Sequence, residues 1–176
     1  MKELTTTRLR LRKITLADAP AVAGYMDDPS LGEFIPGIPY PYTLSHAEEW
    51  IKKVHKKVAR KEALEWAIEY EQEMIGALNV HDIDLDDQRC NVGYLLSGAF
   101  HRRGFMSEAL SRVLDYAFDE LGVVRVGAEV FSQNTPSRRL LEKQGFLHEG
   151  TLRSYSLRNG TRYDNEVYGL LVNEWK

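Results

Sequence analysis

A single cysteine, Cys90, among 176 residues excludes an internal disulfide and any cysteine-rich metal site, and it favours a reducing compartment. Long hydrophobic runs are missing as well: no stretch approaches the roughly 20 apolar residues that cross a bilayer. The N-terminal MKELTTTRLRLRKI alternates apolar and polar residues and lacks the uninterrupted apolar region of a signal peptide. Neither charge sign dominates, since 23 Lys+Arg stand against 26 Asp+Glu for a net charge of -3. That balance gives no bulk attraction for nucleic acid or an anionic membrane, so any anion must be held by a local cluster. The spaced glycines and Lys-Ser/Thr pair of a Walker loop are also absent, which disfavours a kinase or ATPase. The expectation is a cytoplasmic protein of one domain spanning 1–176, without nucleic acid, membrane or metal as partner.

What is present is ordinary for a folded chain, with 43% apolar and 28% charged residues. Residues 8–14 alternate Leu9, Leu11 and Lys13 against arginines, the pattern of a strand with one buried face. Thr15 and Asp18 open a short helix with a stripe through Ala19, Val22, Ala23 and Met26, stopped by Pro29. The proline-rich IPGIPYPY reads as an irregular loop, and Ser45 with Glu48 has the spacing of a capping box for a second helix running to about Arg60. ALEWAIEY, MIGALNVHDI and CNVGYLLS then form a meander of strands. A long helix, the strand VVRVGAEVF, a helix from about Asn134 and two late strands complete the chain. This order implies an α/β (α+β) fold around a mixed sheet with at least one parallel pair.

The local cluster that an anion needs lies in LSGAFHRRGFMSEALSRVLDYAF. From Met106 the apolar positions 106, 109, 110, 113, 114, 117 and 118 hold one helical stripe for more than three turns. The first N–H groups of a helix lack internal partners and sit at the positive end of its dipole. Gly104 keeps side-chain bulk away from them, while Arg102 and Arg103 add two permanent positive charges. A phosphate or pyrophosphate is the ligand these features suit. A second helix start lies in SQNTPSRRLLEKQGF, where Asn134 or Thr135 caps, Pro136 falls in the first turn, Ser137 faces out of it and Gly145 ends the helix. Two helix starts after two successive strands make adjacent polar pockets for a long ligand with phosphate at one end.

Four segments, in order and at fitting intervals, resemble the GNAT superfamily of acetyl-CoA-dependent N-acetyltransferases, and within it the RimJ/RimL-like group. They are TTRLRLRKITLADAPAV, EWAIEYEQEMIGALNV, NVGYLLSGAFHRRGFMSEAL and NTPSRRLLEKQGFLHEGTLR. The resemblance implies a mostly antiparallel, twisted sheet of about seven strands with about four helices, splayed between the fourth and fifth strands. It implies acetyl-CoA as co-substrate, with the pyrophosphate wrapped by the N–H groups of Arg102, Arg103, Gly104, Phe105, Met106 and Ser107. The arm of the coenzyme would pair with main chain at Leu95, Leu96 and Ser97, Asn134 would meet the pantetheine, and Ser137 would sit near the sulfur. The chain departs from the superfamily loop by starting it at His101 and ending it at Met106. It also has Leu141 where many members carry a tyrosine that protonates the thiolate, which makes Ser137 the replacement within the matched motif.

Acetyl transfer needs a neutral amine, an oriented thioester, a donor for the developing oxyanion and a proton source for the thiolate. A backbone N–H near Leu95 is the candidate donor. His81, Asp82, Glu33 and Tyr94 are candidates for the base, with His81 the best matched to neutral pH. The acceptor site is expected from EFIPGIPYPY, Trp66, Tyr94 and the hairpin RSYSLRNGTRYD, with Tyr40, Tyr42 and Tyr155 as aromatic contacts. Glu33, Asp82 and Asp84 would favour a cationic acceptor if they converge. The first-choice substrate is the α-amine of a protein or peptide, a ribosomal protein among them. A small amine such as a polyamine or aminoglycoside is the second, and a catalytically silent acetyl-CoA sensor the third. A homodimer stays open.

Overall fold

The computed structural model describes residues 1–28, 31, 38–158 and 160–175. Among them, one sheet of eight strands runs in the order β1-β2-β3-β4-β5-β6-β8-β7. The strands are β1 (Leu4–Thr5), β2 (Arg10–Lys13), β3 (Ala63–Tyr70), β4 (Glu73–Asp84), β5 (Arg89–Leu96), β6 (Arg125–Phe131), β7 (Leu147–Arg158) and β8 (Thr161–Leu171). Every neighbouring pair is antiparallel except β5 and β6. The expectation of about seven strands falls one short because β1 is a two-residue partner of β2, too brief for any periodicity to register.

Among the described residues, four α-helices cover the two faces: α1 (Ala19–Met26) and α2 (Leu44–Ala59) on one, α3 (Phe105–Asp115) and α4 (Thr135–Lys143) on the other. Alternation along each strand sorts the side chains accordingly. Trp66, Ile68, Leu78, Val80 and Val92 meet the buried stripe of α3, whose residues Ala109, Leu110, Val113 and Leu114 are fully buried, as is Ala117 in the wider turn (Tyr116–Glu120) that continues it. Ala67, Met74 and Ala77 turn the other way, against Val22 of α1 and Ile51 of α2.

Three local expectations need correction. The cap of α2 is Thr43, whose hydroxyl accepts from His46 N–H (3.4 Å) while His46 Nδ1 accepts from Thr43 N–H (3.1 Å). That reciprocal pair leaves Ser45 inside the first turn and Glu48 beyond it. Lys13, the last residue of β2, is exposed, and Ile14, just past the strand, is buried instead. Trp66 is wholly buried under α3, its indole N–H donating to the Lys2 carbonyl (2.9 Å), so it cannot line an acceptor site. Pro29 and Glu33, read as a helix stop and a candidate base, lie outside the described residues.

Candidate active site

The parallel pairing of β5 and β6 covers only Arg89–Asn91 against Arg125–Gly127. Beyond it the two strands part, as expected for the fourth and fifth strands counted from sequence. The last rung is marked by Asn91, whose amide oxygen lies over Gly127 where a Cβ would collide with it. Val92–Leu96 of β5 stays paired with β4 but has no partner on the β6 side.

Which backbone groups face that gap follows from register. Ser97 donates its N–H to the Ile75 carbonyl (2.8 Å), on the β4 side. Antiparallel alternation then turns Leu95 and Gly93 the same way and points the N–H groups of Val92, Tyr94 and Leu96 into the gap. The N–H groups of Leu95 and Ser97 themselves are thus turned to β4, and the N–H near Leu95 that faces the gap is that of Tyr94. Leu96 keeps its N–H toward the gap, while its carbonyl accepts from His101 Nε2 (2.9 Å), which ties the following loop to the strand.

That loop leads into α3. Arg102 and Gly104 both have positive φ (59° and 78°), and Gly104 is the residue directly before the helix. Among the described residues, no acceptor takes the N–H groups of residues 104–107; beyond them the first N–H engaged is that of Glu108, which bonds the Gly104 carbonyl (3.1 Å). A run of unpaired N–H groups at a helix start, in a left-handed turn, is an anion cradle. Phe105 and Met106 send their side chains into the core, so only their N–H groups are available. The Ser107 hydroxyl accepts from Gln144 Nε2 (2.7 Å), linking α3 to the end of α4.

The two arginines differ. The Arg103 guanidinium stacks over the rings of Tyr70, Phe100 and Phe105, at 5.4, 5.5 and 4.8 Å, and its carbonyl accepts from Arg8 Nη1 (3.0 Å). Arg102 is exposed and has no hydrogen-bond or ion-pair partner among the described residues. Arg103 therefore braces the loop, and Arg102 is the guanidinium at liberty to meet an anion.

Over the gap sits the start of α4. Asn134 is its N-cap and accepts from the Ser137 N–H (3.2 Å) through its side-chain oxygen. Ser137 does not face out, as expected, but is buried with 9% exposure, its hydroxyl 2.7 Å from the Tyr94 hydroxyl. Burial pushes the Tyr94 phenol up to about 12, with the Ser137 bond opposing, so the pair keeps its protons at neutral pH. Tyr94 and Ser137 thus meet on the α3/α4 face of the sheet.

His81 does not join them. It pairs with Asn91 across β4 and β5, three residues from the Leu78–Tyr94 rung, and so projects from the opposite face. Its Nδ1 lies 2.9 Å from Asp82 Oδ2, which also accepts from Asn91 (3.1 Å). Asp84 is paired with Arg89 (3.0 Å). Of the acidic residues expected to converge on a cationic acceptor, Asp82 and Asp84 are spent in pairings at the β4–β5 end.

On the α1/α2 face a cleft of about 500 Å³ opens over β5, with Leu95 on its floor and Val22, Tyr25, Met26, Tyr42 and Trp50 among its walls. Tyr42 is the expected aromatic that lines it, whereas Tyr155 is exposed on β7. Behind the cleft lies a residue the sequence reading passed over. Glu65 on β3 is 9% exposed, and burial raises its carboxyl to about 7, against the opposing effects of an Asn79 hydrogen bond and the Lys57 charge. The alternation of ALEWAIEY puts Glu65, Ala67 and Glu69 on one face, which reads as the solvent side until α1 and α2 close over it. A carboxylate on a face with alanine, in a strand preceded by two amphipathic helices, was the available signal.

Unpaired N–H groups at a helix start, a parted pair of strands leading from them and a buried hydroxyl over the gap define a coenzyme A-dependent acyltransferase. These groups fit the coenzyme by what they offer: donors for a diphosphate and a strand edge for an amide-bearing arm. The sequence profile of the acetyltransferase (GNAT) domain family matches residues 8–147, and the chain belongs to that family. It is an acetyl-CoA-dependent N-acetyltransferase. It is 36% identical over 170 residues to the uncharacterized N-acetyltransferase YoaA of Bacillus subtilis, covering 96% of each chain. It is 29% identical over 132 residues to the putative ribosomal N-acetyltransferase YdaF of the same organism, covering 75% of this chain and 72% of the other. The fold is shared with a RimL ribosomal alpha-N-protein acetyltransferase solved with coenzyme A, at a TM-score of 0.89 and 20% identity over 98% of this chain and 99% of that one. No group of residues able to hold a metal ion occurs among the described residues, and none of their helices is long and apolar enough to cross a membrane.

Proposed function

We propose that residues 1–176 act as one transferase domain that acetylates the α-amino group of a protein or peptide. In this reading the N–H groups of Arg102 to Ser107, with the Arg102 guanidinium, hold the diphosphate, and Val92, Tyr94 and Leu96 pair with the arm along the β5 edge. The Asn134 amide NH₂, left over from capping, reaches the pantetheine. The Tyr94 N–H donates to the oxygen that gains charge during attack, a contribution that main chain supplies without reorganisation. The hydroxyl pair of Tyr94 and Ser137 supplies the proton for the departing sulfur.

The observation that carries this reading is the placement of two features on opposite faces of β5. The cleft floored by Leu95 opens on the α1/α2 face, and the Tyr94–Ser137 pair lies on the other. An amine approaching from the cleft meets the thioester carbonyl from the side away from the proton donor.

A peptide terminus is favoured over a polyamine by the charge of the cleft, which holds Glu49 and Lys53 together and so has no excess negative charge for a polycation. The relatives named above as ribosomal and alpha-N-protein acetyltransferases support the same choice. Energetically, a neutral α-amine costs roughly 3 kcal/mol less than a neutral lysine at pH 7, from their ordinary pKa values. Free-thiol release from acetyl-CoA, measured against unblocked peptides, their N-acetylated forms and small polyamines, tests the proposal. Turnover is expected with the unblocked peptides and not with their N-acetylated forms or the polyamines. Turnover confined to polyamines would replace the substrate class, and acetyl-CoA binding without turnover across the panel would make the chain a sensor.

A further inference from the structure

Three buried polar groups on the α1/α2 face have no role in the site described so far. The Asn79 side-chain oxygen and the Tyr25 hydroxyl are both buried without a hydrogen-bond partner among the described residues. The third is the Glu65 carboxyl, which accepts a long hydrogen bond from Asn79 Nδ2 (3.4 Å). Glu65, Asn79 and Gly93 are cross-strand neighbours in register on β3, β4 and β5. Asn79 leans over Gly93, where a Cβ would come within 2.9 Å of its amide oxygen. Tyr25 forms part of the cleft wall and is close enough to Glu65 for the two to interact electrostatically.

Orphaned buried acceptors are costly and are retained where something donates to them. The group this set lacks is a cluster of donors without acceptors, which is what a primary ammonium is. The row lies one step along β5 from Leu95 at the cleft floor and on the face of the sheet from which an amine approaches. Two strand spacings, roughly 10 Å, separate the Glu65 and Gly93 backbones, and the Asn79 side chain stands between them with its Nδ2 toward Glu65 and its oxygen toward Gly93.

We propose that Glu65 is the proton acceptor of the transfer, receiving the acceptor amine as its ammonium ion beside Asn79 and Tyr25. This rests on the acetyltransferase reading and names the base within it. The Glu65 carboxylate takes one proton from R–NH₃⁺, and the freed lone pair forms the C–N bond at the thioester carbonyl carbon. When the C–S bond breaks, its electron pair goes to sulfur, which is protonated from the Tyr94–Ser137 side. A second nitrogen proton passes through water to restore the one given up by the Tyr94–Ser137 pair, and Glu65 returns its own proton to solvent before the next turnover, so that one proton is released per acetyl group transferred. The carboxyl, raised by burial to about 7, is matched to an α-ammonium near 8. The ionisable groups that act on it are Lys57 from α2, which lowers it, and Tyr25 from α1, while His81, two residues along β4 from Asn79, shares the face in its pair with Asp82. Lys57 alone does not offset the burial, so the charge remains available to a bound cation.

The test uses the full chain and n-propylamine as a bare primary ammonium. Carbon-13 NMR of the side-chain carboxyls should show one group titrating near pH 7 that is missing in Glu65→Gln, and saturating propylamine should move that titration down by at least half a unit. Turnover of propylamine should fall about 100-fold in Glu65→Gln, with KM for acetyl-CoA within twofold, and the limb of the pH profile near 7 should vanish. Hydroxylamine, already neutral at pH 7, should be acetylated by wild type and variant at similar rates, which a folding defect would not allow. A carboxyl titration unmoved by propylamine, or an unchanged rate in Glu65→Gln, overturns the proposal. Calorimetry separates the two levels: wild type that fails to bind acetyl-CoA sinks the transferase reading, whereas intact binding with an inert Glu65 sinks the base alone.

Discussion

The hydroxyl oxygens of Tyr94 and Ser137 lie 2.7 Å apart, one on a strand with an open edge and the other in the first turn of the helix above it. Neither residue alone makes a proton donor of the right reach. Ser137 is fixed through its N–H to Asn134, and Tyr94 is buried enough to hold its proton far above neutral pH.

Ser137→Ala and Tyr94→Phe should therefore each slow acetyl transfer, by roughly 100-fold at most, while leaving acetyl-CoA affinity within a few-fold. The double variant should lose little more than the worse single one, because either change disables the same pair. Ser137→Ala also leaves the Tyr94 hydroxyl buried with only a long contact to the Ser137 carbonyl (3.5 Å), a stability loss of about 1 kcal/mol that calorimetric melting can read. Fully additive rate losses would show that the two hydroxyls act independently.

Gly104 joins the sequence argument to the geometry. Its φ of 78° strains any residue with a Cβ, yet the nearest atom to such a Cβ would be Arg8 Nη2 at 3.5 Å, an ordinary contact. Gly104→Ala should cost about 1 kcal/mol of backbone strain, a shift of roughly 2–4 °C in Tm, and weaken acetyl-CoA only moderately. Gly104→Glu adds a negative charge beside the proposed diphosphate site and should abolish binding in calorimetry. Equal affinities for the two variants would remove the loop from the cofactor site.

Both of those positions were visible in the amino-acid order, and the reason is that local rules govern them. The α3 stripe from Met106 to Phe118, the Asn134 cap and the Arg-Gly turn each depend on residues within a few positions of one another. The gap-facing N–H groups were not visible, since whether Leu95 or Tyr94 points at β6 depends on a register set by Ser97 against Ile75. Glu65 was hidden for a different reason: its strand alternates as if that face met water, and burial comes only when α1 and α2 fold across it. Arg103 looked like a second phosphate ligand because sequence does not reveal that Tyr70, thirty-three positions away, lies beneath its guanidinium.

Arg102 and Arg103 should accordingly separate in experiment. Arg102→Ala should leave Tm unchanged and weaken acetyl-CoA about fivefold at low ionic strength, an effect that shrinks in 1 M salt as the Debye length contracts to about 3 Å. Arg103→Ala removes stacking on three rings and should lower Tm by a few degrees, with a loss of affinity that salt alters little because it stems from a loosened loop. Identical behaviour of the two variants would contradict the division of labour.

Glu65 makes a stability prediction that stands apart from catalysis. Its carboxyl titrates near 4.5 when unfolded and about 7 when buried in the native chain. Between those values the folded protein holds a proton that the unfolded chain has released, so stability falls as pH rises from about 4.5 to about 7 and levels off above it. The full difference corresponds to about 3 kcal/mol. Glu65→Gln carries no charge to bury, so it should match wild type near pH 4.5 and melt roughly 5–10 °C higher at pH 8. Stabilisation of the neutral variant at alkaline pH, combined with loss of turnover there, is the pattern of a group kept in an unfavourable environment for its chemistry. A Tm difference that does not change between pH 4.5 and pH 8 would mean that the native Glu65 carboxyl titrates where the unfolded one does, and the buried-carboxyl account would fail.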